Sequence, residues 1–413
     1  MVSKPKQDYI ENLRDRLKTN DDILDRDADA IRNWSRNIEL IPEKYSVHRH
    51  HKLLTHLVLI AEGDCASLSD ALDDREAAED IVLWIHRNYP KSNSEDTNRD
   101  FRGAVRMFGK RIGETDDIPP SIAWISATVS SDYDKTPDAS EMLDWHDDVL
   151  SMIEEARYSR DEAMVALCFD LGARSSEFRE LTVGSIVDAD GGMKVRIDGA
   201  KGTGLRDPDI SPSVPYVNRW LSDHPAPDDP DAPLWTKLHS AEDISYNMKK
   251  KIFVKAAERA GVEKPVTFTS FRKSRASDLA SKGMSQAHLE ERMGWVRGSD
   301  VAARYIAVFD DDASREFRRL EGEEIEDEDE PVPTAPRVCP RCDKESPRHK
   351  PACVWCGQPL DAVAASRLDE ARKLLTQSVA EADDDLTQDD LMEILDSLDV
   401  GETRAALAEA ILD

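Results

Sequence analysis

Nowhere does the chain hold an apolar run near the ~20 residues that a membrane helix needs, and its mean hydropathy is −0.58, so a transmembrane span is excluded. The opening segment, MVSKPKQDYIENLRDRLK, lacks the apolar stretch of a secretory leader. A cytoplasmic protein is the expectation. Basic residues are in deficit: 55 Lys and Arg stand against 84 Asp and Glu, a formal charge of −29. Non-specific affinity for nucleic acid comes from neutralising phosphates, so this balance taken alone argues against such a partner. It fits equally a chain adapted to a salt-rich cytosol, where a Debye length of ~3 Å at 1 M salt screens distant acids from a locally basic site. Composition leaves both readings open. No internal repeat is visible, and only Cys65 and Cys168 stand outside two Cys-x-x-Cys pairs; both lie in apolar runs and read as reduced core residues.

What is present falls into segments. A chain of 413 residues exceeds one ordinary core, so two or three domains are expected. Residues 1–117 read as a helical unit. Leu53, Leu54, Leu57, Val58 and Ile60 form an apolar stripe, Ile81 to Ile85 a short buried run, and Phe101, Val105, Phe108 and Ile112 a face at helical spacing. Beside that face Arg102, Arg106 and Lys110 form a basic ridge, either a solvated surface or a helix that follows a phosphate backbone. Residues 118–139, rich in Pro, Ser and Asp, read as a linker.

Residues 140–320 alternate helices with a few strands. A turn at Asp188–Gly192 leads into a strand in which Met193, Val195 and Ile197 alternate with polar residues. Residues 321–337 are an acidic, proline-rich tether, 338–360 hold the paired cysteines, and 361–413 read as short acidic helices bearing Leu374, Leu375, Leu386, Leu391 and Leu395. Acidity makes that tail a docking or self-association element rather than a nucleic-acid contact.

Within residues 140–320 several chemically pointed residues recur in order. An apolar helix containing Met164, Val165, Leu167, Cys168 and Leu171 stops at Gly172, and the chain restarts with Arg174 and Glu177 one helical turn apart. Lys201 sits in GAKGTGLR after the alternating strand, with Lys194 a rival on the same strand. TSFRKSRASDLA opens a helix carrying Arg272, and MGWVRGSDVAARYIA places Trp295 ten residues before Tyr305. Singly each has an ordinary reading: a helix ion pair, a turn lysine, a core tryptophan, a packing tyrosine.

Jointly they resemble the tyrosine recombinases of the phage integrase family, Xer type. Arg174 with Glu177 matches the first box, Lys201 the hairpin lysine, Arg272 the second arginine, Gly294-Trp295 the Gly-His/Trp box, and Tyr305 the nucleophile. The match spans roughly residues 140–315, and the acid excess resembles that of members from salt-loving archaea. The resemblance implies a mainly α fold with a small antiparallel β-sheet: a helical SAM-like DNA-clamp domain over 1–117, then a DNA breaking-rejoining catalytic domain over 140–320. It implies site-specific recombination of double-stranded DNA through a 3′-phosphotyrosine, in a homotetramer on synapsed sites, with no metal needed for strand exchange.

The implied roles suit the residue types. Guanidinium groups such as Arg174 and Arg272 clamp the non-bridging oxygens of a phosphodiester. Tyr305 attacks phosphorus, and Lys201 protonates the departing 5′-oxygen. Trp295 donates its indole N–H, and Glu177 supports the first arginine.

Three departures stand out. Thr269 occupies the position of the usual histidine, and none of the ten histidines lies between Ser240 and Ser285; Lys273 replaces the second histidine often found after the arginine; and the Trp295–Tyr305 gap is one residue longer than the common spacing. A hydroxyl is no proton shuttle near neutrality. The alternative is therefore a catalytically impaired homologue that binds DNA as a regulatory or architectural protein.

Beyond the tether, Cys339, Cys342, Cys353 and Cys356 form two Cys-x-x-Cys knuckles ten residues apart, the pattern of a structural zinc ribbon. Arg337, Arg341, Lys344, Arg348, His349 and Lys350 make the ribbon locally basic; its partner, nucleic acid or protein, is left open.

Overall fold

Helical spacing of large apolar residues dictates the first part of the chain. The computed structural model describes residues 6–112, 117–130, 138–189, 192–199, 204–298, 300–307, 321 and 332–381. It divides into two compact units, residues 1–134 and 135–413. In the first, α1 (Lys6–Thr19), α2 (Asp25–Glu39), α3 (Val47–Ala61), α4 (Arg75–Asn88) and α5 (Lys91–Ile112) share one core. Ile31, Trp34 and Ile38 of α2 point inward with the α3 stripe and with Phe101, Val105 and Phe108 of α5. The run 81–85 is a face of an amphipathic helix, not wholly buried: Leu83 is 57% exposed. α5 bends at Ser94, where the backbone leaves helical geometry.

The segment after residue 118 is no free linker. A single helical turn, α6 (Pro120–Ala123), returns along α5 and buries Ile122 and Ile125 in the same core. Its carbonyls are taken by the basic ridge. Arg106 donates to Ala123 O (2.6 Å) and Ile125 O (2.7 Å). Arg102 donates to Ser126 O, to Thr128 O (3.0 Å) and to Asn98 Oδ1 (2.9 Å).

The second unit is organised around α8 (Ser159–Leu171), in which every residue from Ala163 to Leu171 is buried, Cys168 included. A helix of that kind must be covered on all sides. α7 (Leu150–Glu154), α10 (Val214–Asp223), α11 (Tyr246–Ala260) and α12 (Phe268–Ser281) supply the cover. α8 ends as the sequence predicts, at Gly172 in the left-handed region (φ +56°), where an added Cβ would lie 2.9 Å from Met293 Cε.

The small strands are antiparallel: β1 (Ile186–Ala189), β2 (Gly192–Val195) and β5 (Asp209–Ile210) form one sheet, and β3 (Ile197–Gly199) pairs with β4 (Gly204–Arg206). The expected inward alternation holds, with Met193, Val195 and Ile197 buried, but the strand is divided at Arg196, whose N–H turns to Ser185 O (2.8 Å). A two-stranded ribbon of β6 (Thr236–Lys237) and β7 (Ser240–Asp243) precedes α11. Helices α9 (Ser175–Arg179), α13 (Gln286–Met293) and α14 (Asp300–Ala307) frame the site described below.

The cysteine ribbon, with β8 (Arg337–Val338) and β9 (Glu345–Ser346), packs against α10 of the second unit rather than hanging free. Asn218 of α10 donates to Glu345 Oε2 (3.4 Å), the His146 ring pairs with Val332 O (3.3 Å), and His349 lies 3.6 Å from Glu154. α15 (Ala362–Glu381) follows; the side chains of Leu374 and Leu375, and all of Leu386, Leu391 and Leu395, lie outside the described residues. No described helix is long and apolar enough to cross a membrane.

Candidate active site

The turn after Gly172 sets the first arginine. Arg174 is the N-terminal cap of α9, and Glu177 closes the cap by accepting the Arg174 backbone N–H at Oε2 (2.9 Å) and its Nη1 at Oε1 (2.7 Å). Burial alone would raise the Glu177 carboxyl. The Arg174 backbone N–H, the Arg206 guanidinium and the Arg174 side chain outweigh burial and hold the carboxyl below its usual range.

The second arginine comes from the first turn of α12. Arg272 donates from Nη1 to Gly172 O (2.8 Å) and from Nη2 to Met293 O (2.5 Å), while Arg174 Nη2 donates to the next carbonyl, Gly294 O (2.7 Å). Two guanidinium groups from elements about a hundred residues apart are thus pinned to adjacent carbonyls at the end of α13. Burial, and then the charge of Arg174, lower Arg272 to about 10, so it stays protonated at neutral pH.

Gly294 permits this corner. Its φ is +62°, and a Cβ there would stand 3.0 Å from Arg206 Nε and 3.5 Å from Arg174 Nη1.

Trp295 lies beneath the Arg272 guanidinium, whose carbon is 5.4 Å from the indole ring, and stacks on Tyr305 at 5.3 Å between centroids. Tyr305 is buried to 8% exposure beside Ala276, Leu279, Leu289, Met293 and Ala302. Its hydroxyl has no hydrogen-bond partner among the described residues, and it is not among the unpartnered atoms sealed from solvent. Burial raises its pKa; Arg272 and Arg304 pull the other way.

The structure brings Arg174, Glu177, Arg272, Trp295 and Tyr305 together. Thr269 is exposed on the first turn of α12, one helical turn before Lys273 and three residues before Arg272. Lys201 lies outside the described residues; Lys194, the rival, is beside Asp209 (3.8 Å).

Arg102 requires correction. It is 5% exposed and gives all three guanidinium nitrogens to Asn98, Ser126 and Thr128, so it is not free for phosphates, while the half-buried Arg106 gives Nη1 to the carbonyls of Ala123 and Ile125. Of the three, Lys110 alone is half exposed without such bonds.

Sequence reasoning missed three arginines. Arg206 of β4 reaches Glu177 Oε2 (2.7 Å). Arg275 and Arg292 flank Asp170, a fully buried carboxylate that accepts Arg275 Nη2 at 2.9 Å and Ser213 Oγ at 2.8 Å. Arg292 also donates to Asp209 O and Asp170 O, binding β5 to α8 beneath the site.

The four ribbon cysteines converge with their sulfurs all within 4.8 Å of one another, and the Cys339–Cys356 and Cys342–Cys353 pairs are 3.7 Å apart. The two knuckles repeat each other. Cys339 N donates to Lys344 O while Asp343 N donates to Cys339 O; Cys353 N donates to Gln358 O while Gly357 N donates to Cys353 O. Asp343 and Gly357 occupy the same left-handed position in each (φ +57° and +65°). A tetrahedral ion with ~2.3 Å metal–sulfur bonds needs sulfurs ~3.8 Å apart, a distance that the Cys339–Cys356 and Cys342–Cys353 pairs match.

Residues 144–312 match the model of the phage integrase family. Among solved structures, XerH site-specific recombinase, in a post-cleavage complex with its palindromic difH substrate, is similar at 16% identity; the match covers 77% of this chain and 97% of the recombinase, with a TM-score of 0.52. The Tn1549 transposon integrase in complex with transposon right end DNA is similar at 15% identity over 71% of this chain and 99% of the integrase, with a TM-score of 0.50. Among curated proteins none matches the chain in sequence. Through residues 144–312 the chain therefore carries a phage integrase family domain, with the fold of the tyrosine recombinases.

Proposed function

We propose that the protein recombines double-stranded DNA at a specific site by transesterification at Tyr305. The observation that carries this reading is the placement of Arg174 and Arg272 on the adjacent carbonyls of Gly294 and Met293, with Trp295 in contact with both Arg272 and Tyr305. A phosphodiester is anionic, and its transition state concentrates charge on the non-bridging oxygens. Two fixed guanidinium groups offset that charge without reorganising. The Tyr305 oxygen forms a bond to phosphorus, the P–O5′ bond breaks, and the 5′-oxygen takes a proton from Lys201, the donor the resemblance implies. The phenol loses its proton to solvent. Reversal by a 5′-hydroxyl restores a phosphodiester, so bond energy is conserved.

XerH is bound to its palindromic difH substrate and the Tn1549 integrase to transposon right end DNA, which supports DNA as the substrate here; a synapsed homotetramer is the assembly we propose. Zinc is the ion we assign to the four cysteines, since thiolates at this spacing favour tetrahedral coordination. The ion is structural, and no step of strand transfer uses it. Cytoplasmic placement goes with a DNA substrate.

One observation favours the second reading, a DNA-binding homologue impaired in strand transfer. Thr269 puts an exposed hydroxyl where the family has an imidazole. A nicked suicide duplex carrying the target site, incubated with the protein in molar potassium chloride, separates the two. A covalent adduct lost in Tyr305→Phe supports recombination; tight binding of the same duplex with no adduct supports the regulator.

A further inference from the structure

We infer that Arg206 is a positioning residue for the Arg174 clamp; the inference rests on the strand-transfer reading above. The Arg206 side chain is 9% exposed and spends both terminal nitrogens inside the protein, one on Glu177 Oε2 (2.7 Å) and one on the carbonyl of Arg292. Its remaining nitrogen, Nε, is buried, so the guanidinium faces the protein interior and not DNA. Its work is on its neighbours.

The Glu177 side chain has no exposed surface, and its two oxygens are divided between two arginines: Oε1 takes Arg174 Nη1, Oε2 takes Arg206 Nη2 and the Arg174 backbone N–H. This division holds Arg174 by one terminal nitrogen only and leaves the other directed at Gly294 O (2.7 Å). Without Arg206 the buried Oε2 loses its charged partner, and among the described residues the other side chain paired with the carboxylate is Arg174. A fork-on-fork pair would then draw Arg174 off the Gly294 carbonyl and away from a phosphate.

Charge points the same way. Arg174, Arg206 and Arg272 against Glu177 leave a net +2; removing Arg206 leaves +1. The same side chain fills the space under Gly294, where its Nε and Cδ would stand 3.0 and 3.2 Å from an added Cβ. Arg206 therefore ties β4, α9 and the corner that carries both clamp carbonyls. Lysine does not replace it, since one ammonium on a flexible stem lacks the planar fork that spans Glu177 and the Arg292 carbonyl.

The test compares the wild-type chain with Arg206→Met and Arg206→Lys in three measurements: melting, affinity for the suicide duplex, and rate of covalent adduct formation. Each rate is taken on an ordinary scissile phosphate and on a methylphosphonate, which carries no charge for the clamp to neutralise. The expected result is affinity within ~3-fold of wild type and adduct formation slower by ~10²-fold in both variants on the phosphodiester. On the methylphosphonate that gap shrinks to ~10-fold or less, which a role in folding alone would not produce. Rates within ~3-fold of wild type on the phosphodiester, or a gap unchanged on the methylphosphonate, overturn the inference. If Arg206→Met shows no cooperative melt, Arg206→Lys decides by the same criteria. Loss of the fold in both assigns Arg206 to stability alone and overturns it. A wild-type chain that binds the duplex and forms no adduct overturns strand transfer and this inference together; a reactive wild type with indifferent variants overturns this inference only.

Discussion

Tyr305 stacks on Trp295, ring planes 12° from parallel, and the same indole also meets the Arg272 guanidinium. The indole is thus in contact with both the phenol and the guanidinium, and its N–H is a donor of its own. Trp295→Phe keeps the stacking surface and removes the N–H. The account predicts a chain that melts within a few degrees of wild type and forms adduct ~10²-fold more slowly, while Trp295→His, which restores a donor, recovers much of the rate. Adduct kinetics on the suicide duplex check this.

Gly294→Ala places a methyl group against Arg206 and Arg174 in a backbone conformation costly to any L side chain. The conformation alone costs ~1 kcal/mol. The expected outcome is a modest fall in melting temperature and a larger loss of adduct rate, because both clamp carbonyls flank the substituted residue. A rate loss no larger than the stability loss would contradict the assigned role of that corner.

Arg102 and Lys110 make opposite predictions. Arg102→Met strips partners from the carbonyls of Ser126 and Thr128 and lowers stability, with no change in the salt dependence of DNA binding. Lys110→Ala leaves melting unchanged and, if it meets a phosphate, reduces the slope of log K against log salt by ~1. Titrations at several potassium chloride concentrations separate the two.

The reversal at Arg102 shows what periodicity hides. Residues 102, 106 and 110 do share a helical ridge, but spacing does not say what covers a ridge. The cover is the stretch from Pro120 to Thr128, whose Pro and Ser content resembles linker; Ile122 and Ile125 were the contrary signal. Box residues were legible because each must present a particular functional group, and Gly172 and Gly294 because only glycine tolerates their backbone. Arg206 was obscured by a glycine-rich hairpin with no repeating pattern. A signal did exist: the register sets Arg206 directly opposite Ile197, and an inward isoleucine obliges its cross-strand partner to face inward too. Packing of the ribbon on α10 had no sequence signature.

Acid weakens the first unit. His50 and His56 are both lowered to about 4, burial being the chief cause in each, with Arg14 next for His50 and Lys52 next for His56. Both are below the unfolded value near 6.5, so between pH 6.5 and 4 the unfolded chain binds protons that the folded chain refuses, and stability falls as pH falls. Among the described residues neither ring nitrogen of His56 has a hydrogen-bond partner, and the ring stacks on Phe101 at 4.3 Å. His56→Leu is expected to flatten the loss of melting temperature between pH 7 and pH 5. An unchanged slope would contradict the buried, neutral state assigned to His56.

Metal removal tests the ribbon. Native mass spectrometry is expected to find one zinc per chain, and a strong chelator to lower the melting temperature of the catalytic core as well, because Asn218, His146 and Glu154 contact the ribbon side. Cys353→Ser should reproduce the chelated state. A core that melts identically with and without the ion would make the ribbon an independent module.

Peptide mapping of the covalent adduct interrogates the phenol itself. After trapping on the suicide duplex, nuclease trimming and proteolysis, the account predicts a nucleotide mass carried by the peptide that contains Tyr305, and by no other. A nucleotide on a different side chain, or abundant stable protein–DNA complex with every Tyr305 peptide unmodified, would contradict it.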